Sequence, residues 1–198
     1  MKTQILIAIK IFALFTILLG LVYPLLITGI AQLTFPEKAN GSLIIQDNKV
    51  IGSDLIGQKF DSARYFWSRP SATDYNSLPS GGSNLGPTSS KLKQQVTDRK
   101  ALWLKSNPTS DPENIPAEML FASASGLDPH ISPQAALLQV DRIAEVRQLS
   151  NEQKQRLLQS IKELSESPQF GFLGEARINV LLLNIELDKL DEKQSNNH

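Results

Sequence analysis

IFALFTILLGLVYPLLITGIA, residues Ile11 to Ala31, carries no charged side chain, and everything after it is water-soluble in character. At ~1.5 Å per residue, a helix over this stretch spans ~31 Å, about the hydrocarbon thickness of a bilayer. The chain therefore reads as one membrane anchor carrying one extramembrane domain. Lys2 and Lys10 precede the span, whereas Glu37 and Lys38 behind it nearly cancel. The positive-inside rule then predicts a cytoplasmic N-terminus (1–10), a transmembrane helix (11–33) and an extracytoplasmic domain (34–190), followed by a flexible polar tail (191–198). Pro24 withholds one backbone donor inside the span, which predicts a kink. Gly20, Gly29, Thr16 and Thr28 are small enough for close helix packing. Gly29-Ile30-Ala31 resembles a signal-peptidase site, but the apolar run exceeds the ~7–15 residues of a signal peptide's core.

Composition narrows the functions open to the domain. Twenty basic residues balance twenty acidic ones, so no electrostatic footprint points to nucleic acid or an anionic membrane surface. The absence of cysteine excludes disulfides, zinc-thiolate sites and thiol catalysis. With only His130 and the terminal His198, any histidine chemistry falls on His130.

The expected fold class is α+β, a small β-sheet first and several helices after it. Ser42–Phe60 is β-rich, with Leu43-Ile44-Ile45 and Val50-Ile51 flanking an Asp47-Asn48 turn. Tyr65-Phe66-Trp67 reads as a second short β-prone run. Residues 71–90, rich in Ser, Gly, Pro and Asn, form a long loop. Helical periodicity begins at Ser89, with Leu92, Val96 and Trp103 on one face and Lys and Arg opposite. Ser132-Pro133 opens a helix bearing Ala136, Val140, Ile143 and Ala144. Ser150 and Gln153 make a capping box for a helix burying Leu157, Ile161 and Leu164. Ile178, Leu181, Leu182 and Ile185 keep helical spacing in a last helix.

Four clusters deserve weighing as chemistry. Ser80, Gly81, Gly82 and Ser83 could offer backbone amides to an anion, and Leu78–Ser83 is loosely similar to the nucleotide-contacting signature of ABC transporters. No Walker lysine follows, so a flexible or partner-docking loop is the plainer reading. Asp128, His130 and the serines around them invite a Ser-His-Asp hydrolase, but no G-x-S-x-G elbow supports it, and Asp128-Pro129 also makes a good turn. No second His or Cys can join His130 on a metal. Arg64, Tyr65, Trp67, Arg69, Asp74 and Tyr75 combine the residue types that anchor interfaces, or else supply core aromatics ringed by solvated charges. Phe170-Gly171-Phe172-Leu173-Gly174 turns the chain between two elements, and any aromatics exposed there are contact surface.

Five blocks in this order resemble the KdpC family. They are Gly52–Gln58, Tyr65–Ala72, Ser80–Pro87, Ser123–Ser132 and Gly171–Val180. Departures are small: Trp67-Ser68 stands where the family has a small residue and Gly, and Ala176 where Pro is usual. The resemblance implies a non-catalytic accessory subunit of the bacterial Kdp potassium-transporting ATPase, in the inner membrane. Its partners would be a channel-like potassium-selecting subunit, a P-type ATPase subunit and a small single-span subunit. It further implies a catalytic chaperone that raises the ATP affinity of the ATPase subunit, with no cofactor of its own and ATP reached through that partner. Partner-interface candidates are Arg64, Tyr65, Trp67, Arg69, Asn84, Asp128 and His130. Two alternatives are an anchored solute-binding or sensor module and an anchored hydrolase using His130.

Overall fold

A computed structural model describes residues 1–46 and 48–195, with side chains through Leu190. The chain divides into two compact units, Met1–Ser53 and Asp54–His198. In the first, an apolar helix runs through Lys2–Thr34. It comprises α1 (Lys2–Ile17), a π-turn (Leu18–Val22) and α2 (Tyr23–Thr34). The disturbance expected at Pro24 takes the form of this π-turn. Tyr23 N–H reaches back to Leu18 O, just ahead of the proline that has no N–H to give Gly20. A short helix α3 (Pro36–Ala39) follows, and then the antiparallel hairpin β1 (Leu43–Gln46) and β2 (Lys49–Ser53). The strand pairing is the one expected, with Ile45 opposite Val50 and a bulge between Ile44 and Ile45, while Asp47 of the expected Asp47-Asn48 turn lies outside the described residues.

The second unit contains α4 (Ser90–Ser106), β3 (His130–Ile131), α5 (Pro133–Leu137), α6 (Val140–Arg147), α7 (Asn151–Leu164), β4 (Ile178–Asn179) and α8 (Val180–Ser195). The caps fall where the serines predict them. Ser89, Ser132 and Ser150 each accept an N–H from the first turn of the following helix, and Gln153 closes the capping box. The tail expected over 191–198 overlaps the end of α8, and residues 196–198 lie outside the described residues. The core is built on α8, whose Val180, Leu183, Leu187 and Leu190 form one buried helical face. Leu157 and Ile161 of α7 and Val140 and Ile143 of α6 are buried in the same core.

Three local expectations are corrected. Ile178 does not start the last helix. It pairs with Ile131 in the two-stranded β3–β4 sheet, and Asn179 Oδ1 then accepts from Leu181 and Leu182 N–H at the start of α8. The helix opened by Ser132 breaks between α5 and α6, because the Gln139 amide turns into the core to serve Trp67 and Ala135. Tyr65-Phe66-Trp67 forms no strand. Its backbone is instead paired by side chains: Asn184 binds both polar groups of Phe66 at 2.8 and 3.0 Å, and Gln139 accepts from Trp67 N–H at 2.7 Å.

Asn184 is thus the only described side chain satisfying Phe66, which is fully buried. Asn184→Leu keeps the branched heavy-atom skeleton but strands one donor and one acceptor. It should destabilise the domain by about 2–6 kcal/mol, since each buried unpaired group costs about 1–3 kcal/mol. Thermal unfolding of the full-length chain in mild detergent, followed by circular dichroism, measures this.

Candidate functional site around Ser123–Ser132

One irregular segment, Ser123–Ser132, collects contacts from four distant parts of the domain. Gly57 N–H donates to Leu127 O at 2.8 Å, and a Cβ built on Gly57 would lie 2.6 Å from Asp128 O. Ser123 N–H donates to Pro70 O at 3.0 Å, and Ser71 Oγ to Gly126 O at 2.7 Å. Gly126 sits at φ +72, and a Cβ there would meet Gly81 O at 2.8 Å. Gly82 lies against the Ala124 backbone, where a Cβ would come within 3.0 Å of its carbonyl oxygen. Val180 N–H donates to Pro129 O, continuing the β3–β4 pairing.

Three of the predicted residues meet here. Arg69 Nη1 binds Asp128 Oδ2 at 2.7 Å, and Asp128 Oδ1 accepts His130 N–H at 3.0 Å. The His130 imidazole stands 3.6 Å from the same oxygen, too long for an ordinary hydrogen bond. Burial alone would push the Asp128 carboxyl up. The His130 imidazole and N–H and the Arg69 guanidinium outweigh it and hold the carboxyl below its usual range. Tyr75 donates its hydroxyl to Arg69 O, and burial pushes that phenol up to about 12, so it remains a donor. Arg69, Asp128 and His130 line a cavity of about 710 Å³ whose other wall carries Glu166 and Arg177, themselves paired at 2.8 Å.

The nearby hydroxyls serve the backbone. Ser125 Oγ accepts from Leu127 N–H, and Ser132 Oγ from Ala135 N–H. Among the described residues, no three His, Asp or Glu side chains are placed to share a metal ion. Tyr65 and Trp67 lie elsewhere and are largely structural. Tyr65 donates to Asp188 at 3.2 Å beneath the Arg147 guanidinium. Trp67 sits under Arg142 and edge-on to Trp103. Arg64 is exposed, and its carbonyl accepts from Arg147. Asn84 is exposed at φ 51. Of the proposed anion loop, Gly81 and Gly82 pack on Ser123–Ser132, while Ser80 and Ser83 are exposed. Gly57 is a further contributor that residue type alone does not point to, since only its close approach to the Asp128 backbone reveals the role. Phe170 and Phe172 are exposed, as the contact-surface reading requires.

The family model described as KdpC, K+-transporting ATPase, c chain, matches residues 5–189. The chain belongs to the KdpC family. It is 48% identical to the potassium-transporting ATPase KdpC subunit of Dechloromonas aromatica over 97% of this chain and 100% of that protein. The KdpC subunit of Geotalea uraniireducens is 51% identical over 92% of this chain and 96% of that protein. That of Methylococcus capsulatus is 49% identical, over 88% and 92%. The five blocks that carry the KdpC resemblance are the segments that converge on Ser123–Ser132, itself the fourth block.

The Asp128 carboxyl is held below its unfolded value, so its contribution is present above about pH 3.8 and is lost as pH falls through the lower folded value. Asp128→Asn should cost about 1–3 kcal/mol at pH 7, as expected for hydrogen bonds to a charged group. The gap from the parent chain should then close in acid. Melting temperatures of both chains from pH 7 to pH 3 provide the test.

Proposed function

We propose that this chain is a non-catalytic accessory subunit of an ATP-driven potassium-uptake complex in a bacterial inner membrane. The observation that carries the reading is the KdpC match over residues 5–189, which takes in both the apolar helix and the domain behind it. Residues 1–10 lie in the cytoplasm, 11–33 cross the bilayer, and 34–190 form the extracytoplasmic domain, in keeping with the charge bias of Lys2 and Lys10. The partners are a channel-like potassium-selecting subunit, a P-type ATPase subunit and a small single-span subunit. The domain stabilises the assembly and raises the ATP affinity of the hydrolysing subunit. On this topology it is on the wrong side to touch cytoplasmic ATP, so the effect is a coupling free energy between separate sites. The chain needs no cofactor of its own, and the Arg69–Asp128–His130 cluster is a contact surface for a partner.

Membranes from potassium-limited cells, solubilised in mild detergent, should yield this chain together with a P-type ATPase and a channel-like subunit, with potassium-stimulated ATP hydrolysis. Complexes prepared without it should fall apart or show a raised KM for ATP. Its recovery alone as a folded monomer would overturn the proposal in favour of an independent sensor or solute-binding module. Trypsin added outside intact spheroplasts should cut the domain; full protection would reverse the orientation.

A further inference from the structure

Two cavities of the Asp54–His198 unit share part of their walls. One, about 460 Å³, is faced by Phe60, Trp67, Tyr75, Leu102, Trp103 and Met119. The other, about 290 Å³, is polar and lined in part by Ser83, Lys91, Gln95 and Arg99. Ser71 and Arg99 line both. Lys91, Gln95 and Arg99 recur every four residues and so stand in one row along α4. No Asp or Glu lines the smaller cavity.

Charge is uncompensated at this junction. Arg99 Nη1 donates to Leu120 O at 2.8 Å, and among the described residues neither Arg99 nor Lys91 has a carboxylate partner. The Ser83 hydroxyl and Gln95 amide are likewise unengaged by any described group. Loss of hydration pushes the Arg99 guanidinium below its ordinary value, as happens to a partly buried cation without a counter-ion. Elsewhere on the larger cavity the charges are matched. Lys59 lies 2.8 Å from Asp74 and 4.0 Å from Asp61, and Arg69 is paired with Asp128. An aromatic cavity of this size beside a cationic, hydroxyl-bearing one is the arrangement that binds an apolar body and orients its polar head.

We infer that the adjoining cavities form a binding site for an amphiphilic anion, its apolar body against Trp67 and Trp103 and its anionic head between Lys91 and Arg99. A free fatty-acid-like carboxylate and an anionic lipid share this chemistry. The inference is independent of the subunit assignment, because it rests only on α4 and the loops beside it.

Both tryptophans of the chain line the apolar cavity, so intrinsic fluorescence reports its occupancy. The full-length chain in phosphatidylcholine nanodiscs would be titrated with decanoate, with decanol and with inorganic phosphate. Decanoate should give a saturable change, decanol should bind about tenfold more weakly, and Arg99→Gln should weaken decanoate by about tenfold, the loss of a charge-assisted contact. Phosphatidylglycerol nanodiscs distinguish the sources. A fluorescence change there without decanoate identifies the lipid, and its absence identifies the free amphiphile. Equal responses to decanol and decanoate, a non-saturable change, or an unaltered Arg99→Gln would overturn the inference. Should Arg99→Gln misfold for want of its Leu120 contact, Lys91→Gln decides. Lys91 is exposed and its side chain makes no hydrogen bond or ion pair with any described residue, so unchanged decanoate affinity in that variant also overturns it.

Discussion

A backbone stretch that crosses the core outside any helix or strand must have its polar groups satisfied by something else. In this protein the stretch is Ala63–Trp67, which runs from the surface at Ala63 and Arg64 into the core at Phe66, and the partners are side chains. Arg142, almost fully buried, donates to Ala63 O at 2.6 Å and to Tyr65 O at 3.1 Å, while its Nε binds Asn107. Arg147 binds Arg64 O, Asn184 binds Phe66, and Gln139 binds Trp67. Together they act as a neighbouring strand would. Burial lowers the Arg142 guanidinium to about 10, which still leaves it charged near neutral pH, and four carbonyl or amide contacts stand in for lost water. Helices α6 and α8 are thereby fixed to the loop that delivers Arg69.

From that anchored loop the chain reaches Ser123–Ser132, where a second constraint operates. Backbone meets backbone at Gly57 and Gly126 at distances a Cβ would not allow, and at Gly82 at a distance that would leave a Cβ tightly crowded. Beside these contacts Arg69 meets Asp128 at 2.7 Å, and Gly81-Gly82 lies against the same segment. Family blocks scattered over more than a hundred residues therefore form one physical object. Glycine at such positions reflects close packing rather than flexibility.

Local signals were legible in the sequence wherever the interaction was local. The apolar span, the β1–β2 hairpin and the serine caps of α4, α5 and α7 depend on residues within a few positions of one another, and each is present. Misreadings arose where the partner was remote. Tyr65–Trp67 has strand-like composition, but its partners lie 72 and 118 positions away and are side chains. Ile178 fits a helical period, but Ile131 claims it for a strand pair. Val140 and Ile143 made a clear apolar stripe that concealed Arg142 between them, because periodicity counts hydrophobic positions and is blind to a buried cation. For the site, the Asp128–His130 turn was readable, whereas its pairing with Arg69 across 59 residues required the fold.

The same features bear on the proposed coupling between this domain and ATP hydrolysis by a partner. Coupling between distant sites requires an element with two arrangements that both sites bias. The Ala63–Trp67 loop, held by four side chains, and the glycine contacts at Ser123–Ser132 are poorly suited to that, since any second arrangement would strand buried polar groups. The π-turn at Leu18–Val22 is different. It lies inside the segment long enough to cross a bilayer, and its wider hydrogen-bond register can return to a regular α-turn by moving one residue through the helix. The adjustable part of the chain is therefore this apolar helix rather than the Ala63–Trp67 loop or the Ser123–Ser132 contacts.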